Sequence, residues 1–145
     1  PMVGISIRPE RYSHACVKAA KEFVVNLPCE GMVRKVGACG VLSGKETDKF
    51  ALMEWTPVPG EKVKPPLIEE CLVQIECGVK EIISLGSHDL FLGQILALHV
   101  KEEILKEKGR IDITKALPLV FCPGANEYWT LGRSIGHYGF TKGKP

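Results

Sequence analysis

The alternation of apolar and polar positions is clearest over residues 70–83, ECLVQIECGVKEII. Cys71, Val73, Ile75, Cys77, Val79 and Ile83 share one parity, with Glu81 the exception. Glu70, Gln74, Glu76 and Lys80 fall on the other. A period of two predicts a half-buried antiparallel strand. Gly86-Ser87-His88-Asp89 supplies turn residues. Residues 90–100, LFLGQILALHV, are apolar on both parities. The two runs are predicted to pair as a long hairpin whose second strand is covered on each side.

Shorter signals flank this hairpin. Residues 2–8 read as a strand ended by Pro9. Ser13 is expected to cap a helix over 14–22, HACVKAAKE. Residues 23–27 read as a strand stopped by Pro28, and a helix is expected over 31–39 with Val33 and Val36 on one side. Residues 56–66 hold four prolines and a glycine, which predicts an ordered loop. A last short strand is expected over 117–121, and the tail from Pro123 shows little periodicity. Antiparallel strands with short helices predict a mainly β, barrel-type fold rather than a doubly wound sheet. No GxGxxG follows a strand, so no Rossmann cofactor site is indicated.

Composition narrows the class. A chain of 145 residues suits one domain, spanning 1–145, with its own core. Hydrophobic content of 45% with 25% charge is that of a soluble globular protein. A net charge of +2 without a basic run argues against nucleic acid as a partner. No run of about 18 uncharged apolar residues occurs, which predicts no transmembrane helix, and no signal peptide is visible. Cysteines at 16, 29, 39, 71, 77 and 122 show neither CxxC nor histidines at metal-site spacing. They read as reduced thiols of a cytoplasmic protein, with Cys71 and Cys77 acting as small hydrophobes on the apolar face of a strand. The chain opens on Pro1 directly in a strand, which is read as the later portion of a longer protein.

The candidate chemistry is sparse. The glycine-rich stretch GACGVLSGKETDKF contains Gly44-Lys45 but is not a P-loop. The first glycine of that motif would fall at Cys39, and the Mg²⁺-binding hydroxyl at Glu46. Arg8, Arg11, Tyr12 and Ser13 cluster at a strand-to-helix junction, where arginines beside a helix N-terminus favour an anion. The plainer alternative, a capping serine with solvated arginines, remains open on the residues alone. Lys49 likewise reads as a surface lysine in a charged turn, His88 as a turn histidine bonded to backbone, and Phe121 as a core aromatic. No catalytic triad or paired-carboxylate set follows from spacing.

Taken in order, PMVGISI, RPERYSH, FVVNLP, SGKETDKF and LGSHDLFLGQIL resemble the flavin reductase-like family, also called FMN-binding split-barrel proteins. The likeness is to its flavoredoxin and ferric-reductase-like members, and YWTLGRSIGHYG in the tail echoes it more weakly. The resemblance implies a mainly β, Greek-key split β-barrel, a homodimer, and FMN bound near the subunit interface. It implies an FMN-dependent oxidoreductase taking electrons from NAD(P)H or a redox protein. An FMN-binding electron carrier without catalysis, and a dimeric barrel without cofactor, are the alternatives. It assigns Arg8, Tyr12 and Ser13 to phosphate and flavin contacts, Lys49 to the DKF lysine, His88 to the turn before the long strand, and Phe121 to an aromatic beside the flavin. Strands that contact the flavin ring in the family precede the point where this sequence opens. On this reading the phosphate is served by Lys49 rather than by Gly44-Lys45. No catalytic side chain and no metal are implied.

Overall fold

The computed structural model describes residues 1–143. Elements follow in the order β1 (Met2–Ile7), α1 (Tyr12–Ala20), β2 (Glu22–Leu27), α2 (Val33–Val41), α3 (Lys49–Met53), β3 (Pro57–Val58) and β4 (Leu67–Ile68). Then come β5 (Val73–Ser84), β6 (Asp89–Val100), β7 (Leu105–Lys106), β8 (Arg110–Ile111), α4 (Ile113–Ala116), β9 (Leu119–Cys122) and β10 (Glu127–Thr130).

Four strands form one antiparallel sheet in the order β1-β6-β5-β2. The predicted hairpin is its centre, with Val73 opposite Val100 at one end and Ser84 opposite Asp89 at the other. The register shifts between Glu76 and Cys77 and again between Val79 and Glu81. Such bulges bend a strand and raise its twist, so the sheet curls. β1 and β2 end at opposite edges, and α1 carries the chain from one to the other. The result is a curled half-barrel of the split-barrel type, as expected.

Two groups of buried residues involve this sheet. Val73, Ile104 and Ala116 form a buried cluster with Leu72, Ile75, Val100 and Ile111 against it. Near the bulges, Phe23, Cys77 and Phe91 are buried around Gly93. A Cβ on Gly93 would sit 2.5 Å from the Phe23 ring and 3.0 Å from Cys77 Cβ, so only glycine fits there. Burial holds the Cys71 thiol up at about 11 and raises that of Cys77, which makes both poor nucleophiles.

Several boundaries differ from expectation. α1 begins at Tyr12, with Arg11 at the cap position and no side-chain cap. The Arg11 amide donates to Arg8 O and the His14 amide to Arg11 O, so the turn closes before Ser13. Ser13 is therefore inside the first turn, and its hydroxyl is not used as a cap. The second helix is displaced by two residues to Val33–Val41. Asp48-Lys49-Phe50 opens a short helix, because the Asp48 carboxylate accepts from the Phe50 and Ala51 amides. The tail contains β10, which pairs with β9.

The half-buried reading of β5 is corrected at its start. Gln74 and Glu76, on the polar parity, are 5% and 0% exposed. The proline-rich segment before β5 folds over them. Its backbone groups need partners, since few are in a ladder. Glu76 accepts from the Glu61, Lys62 and Val63 amides, and Gln74 donates to Ile68 O and Cys71 O. β6 is corrected in the opposite sense. Leu96 and Leu98 are 43% and 56% exposed, so the strand is not covered on both sides there.

Candidate functional site

A cleft of about 640 Å³ opens where the end of β1, the start of α1 and the segment after α2 meet. Ile7 contributes from β1, Tyr12 and Ser13 from the first turn of α1, Ser43 and Gly44 from the loop, and Lys49 from α3. The volume lies within the ~300–1,000 Å³ typical of small-molecule sites.

Each wall has a local cause. The first amides of a helix lack intrahelical acceptors and carry its positive dipole end. With no side-chain cap on α1, and with the Arg11 and His14 amides donating to Arg8 O and Arg11 O, the Tyr12 and Ser13 amides are the ones left to a ligand. On the opposite wall, Lys49 Nζ donates to Cys39 O at 2.7 Å. That carbonyl belongs to the last turn of α2, where carbonyls likewise lack intrahelical partners. The bond ties the lysine to Cys39, which lines the cleft with it. The two walls touch at Tyr12, since a Cβ on Gly44 would lie 3.4 Å from its ring.

The cleft is cationic and poor in acid–base groups. Arg11 and Lys49 line it against one carboxylate, Glu10, and no histidine is among the lining residues. Glu10 is engaged by Arg8 at 2.8 Å. Among the described residues there is no cluster of histidine, cysteine, aspartate or glutamate able to hold a metal. The arrangement is suited to binding and orienting an anion with an aromatic or apolar body.

Of the residues singled out in the sequence, Tyr12, Ser13 and Lys49 come together in this cleft. Arg8, His88 and Phe121 are not among its lining residues. Arg8 turns to Glu10 on the surface. His88 is exposed in the β5–β6 turn, with Nδ1 3.0 Å from Ser87 Oγ. Phe121 is half-exposed on β9, tilted against Tyr128 at 5.0 Å between ring centroids. Sequence reasoning missed Ile7, Glu10, Cys39, Gly40, Leu42 and Ser43 as lining residues. For Cys39, Gly40, Leu42 and Ser43 the signal was the glycine-rich run over the end of α2 and the loop after it, which is a wall although it is no P-loop.

A curled antiparallel half-barrel with a cationic cleft at a helix start defines the class as a split barrel. Residues 1–130 match the flavin reductase like domain, and the chain belongs to that family. It is 37% identical over 112 residues to an uncharacterised protein of Archaeoglobus fulgidus, covering 77% of this chain and 62% of the relative. It is 42% identical over 102 residues to an uncharacterised protein of Pyrococcus abyssi, covering 70% and 58%. The matches thus take in about three fifths of these curated relatives' length. Among solved structures, the flavoredoxin of Desulfovibrio vulgaris (Miyazaki F) superposes with a TM-score of 0.92 at 33% identity, covering 99% of this chain and 76% of that one. The flavoredoxin of Methanosarcina acetivorans gives 0.90 at 34%, covering 99% and 75%. An FMN-binding protein from Thermus thermophilus gives 0.77 at 27%, covering 94% and 73%. Among the described residues, no helix is long and apolar enough to cross a membrane.

Proposed function

We propose that the protein is an FMN-dependent oxidoreductase, with NAD(P)H or a redox protein as its source of electrons. The observation that carries this reading is the convergence of Tyr12 and Ser13 of α1 and Lys49 of α3 on one cleft, from two separate elements. FMN, when bound, supplies the redox chemistry itself.

The cleft fits that cofactor. Its phosphate carries about −1.5 to −2 charge at neutral pH, as phosphomonoesters do. Ser13, the first-turn amides of α1 and Lys49 would hold it. Each charge-assisted bond contributes about 1.5–3 kcal/mol. Tyr12 and Ile7 supply apolar surface for the rest of the molecule. The chain's own residues bind and orient; no side-chain acid or base is required of a cleft that offers so few. On the same reading Arg8, His88 and Phe121 are further cofactor contacts, although none of the three lines this cleft. The proposed assembly is a homodimer, and the exposed Leu96 and Leu98 of β6 give it an apolar seam.

The test is an absorbance spectrum of the purified protein, followed by titration with FMN and then with NADH. A flavin spectrum bleached by NADH is expected. A colourless protein that does not take up added FMN ends the reading. Bound flavin that NADH leaves oxidised points to a redox protein as donor, or to an electron carrier.

A further inference from the structure

A buried bond ties α1, which forms one wall of the cleft, to the sheet. His14 follows Ser13 in α1, but its ring turns inward and the residue is 6% exposed. Nε2–H donates to Asp89 Oδ2 at 2.8 Å, since an ionised carboxylate can only accept. The same ring meets Phe91 edge-on, with centroids 5.3 Å apart. Asp89 opens β6 and pairs with Ile7 of β1 on one side and Ser84 of β5 on the other. The His14 bond, and after it a bond from Ser84, hold the Asp89 carboxyl below the usual carboxylate range.

The placement matters because Ile7 and Ser13 both line the cleft. The residue opposite Ile7 in the sheet is bonded to the residue that follows Ser13. Neither His14 nor Asp89 is itself a lining residue. Among the described residues, this is the one side-chain hydrogen bond from α1 to the sheet. The helix also lacks a side-chain cap. Little else is available to fix where its first turn sits.

We infer that His14 and Asp89 are a positioning pair, which holds the first turn of α1 at the place where Tyr12 and Ser13 face Lys49 across the flavin cleft. The inference rests on the FMN reading above. Without the pair, the helix start is free to drift from the strand end, and groups that must contact one phosphate together are no longer held together.

The test removes both partners, because a lone Asp89 would leave a buried charge and unfold the chain for an unrelated reason. His14→Leu with Asp89→Val replaces the bond by apolar contact. The single variant His14→Gln keeps an Nε2–H donor. FMN affinity is read by quenching of flavin fluorescence. Hydrogen exchange of the His14, Ala15 and Cys16 amides is read without FMN. The double variant is expected to stay folded, to bind FMN about tenfold more weakly or worse, and to exchange faster across the first turn while β2 is unchanged. His14→Gln is expected to restore most of the affinity. Wild-type affinity in the double variant overturns the positioning pair. A wild-type protein that does not bind FMN overturns the cofactor reading instead. Faster first-turn exchange in the double variant then still carries the positioning role, and unchanged exchange removes it.

Discussion

His99 Nε2 lies 2.5 Å from Glu76 Oε1, and the pair closes a carboxylate already gripped by three backbone amides. Glu76 is fully buried in β5, whereas His99 in β6 is partly open. The carboxylate thereby fastens the Glu61–Val63 segment to the sheet. Gly60 approaches so closely that a Cβ there would meet Val63 O at 2.6 Å.

This clamp sets an acid limit on stability. Burial pushes the Glu76 carboxyl up, but the amides and His99 outweigh it and hold it at about 2, below the ordinary 4.5. A depressed carboxyl stabilises the fold above its unfolded value, and the benefit is lost as pH falls through the folded one. Thermal melts are expected to drop between pH 4.5 and about 2 in the wild type. Glu76→Ala should lower stability by about 3–5 kcal/mol in urea titrations at neutral pH and flatten that acid limb.

Lys49→Ala is expected to weaken FMN binding by about ten- to a hundredfold at low salt. The loss should shrink at high salt, because screening already weakens a point charge. Fluorescence titration at two ionic strengths measures both. Since Lys49 also serves Cys39 O at the end of α2, a stability loss of about 0.3–1 kcal/mol should accompany it. Unchanged affinity removes Lys49 from the phosphate site.

Gly93→Ala is expected to destabilise by about 1–3 kcal/mol, the range for overpacking a core. The added methyl would press on Phe23, which is 4% exposed and has no room to yield. Urea midpoints of Gly93→Ala alone and combined with Phe23→Leu separate a steric clash from a backbone effect. Partial rescue by the smaller side chain is the expected result.

Thiol reactivity should divide the cysteines sharply. Cys16 is exposed, and Cys71 and Cys77 are buried. With the Cys71 thiol at about 11 instead of 9, its thiolate fraction is down about a hundredfold before access is considered. A disulfide reagent at pH 8 should modify Cys16 in the native protein. Cys71 and Cys77 should react only after denaturant is added. Fast native labelling of Cys71 contradicts the burial.

Much of the fold could be read from residue order, because side-chain period reports local geometry. The alternation over 70–83 and the apolar run 90–100 become β5 and β6. The prolines at 9 and 28 end β1 and β2 within two residues. The family likeness carried by RPERYSH and SGKETDKF located two walls of the cleft. Where the pattern misled, a partner distant in sequence was the reason. Polarity alone does not reveal that Gln74 and Glu76 are buried to serve the backbone of a proline-rich segment. Apolar character alone does not reveal that Leu96 and Leu98 face outward.

Residue order by itself determined which stretches extend, which coil and which thiols behave as hydrophobes, since neighbours a few positions apart govern those outcomes. Only the tertiary structure decided that Ser13 and Lys49 share a cleft and that His14 finds Asp89 across 75 positions. Such meetings depend on how a curled sheet brings its strand ends to a helix start, a property of the whole chain's packing that no local spacing encodes.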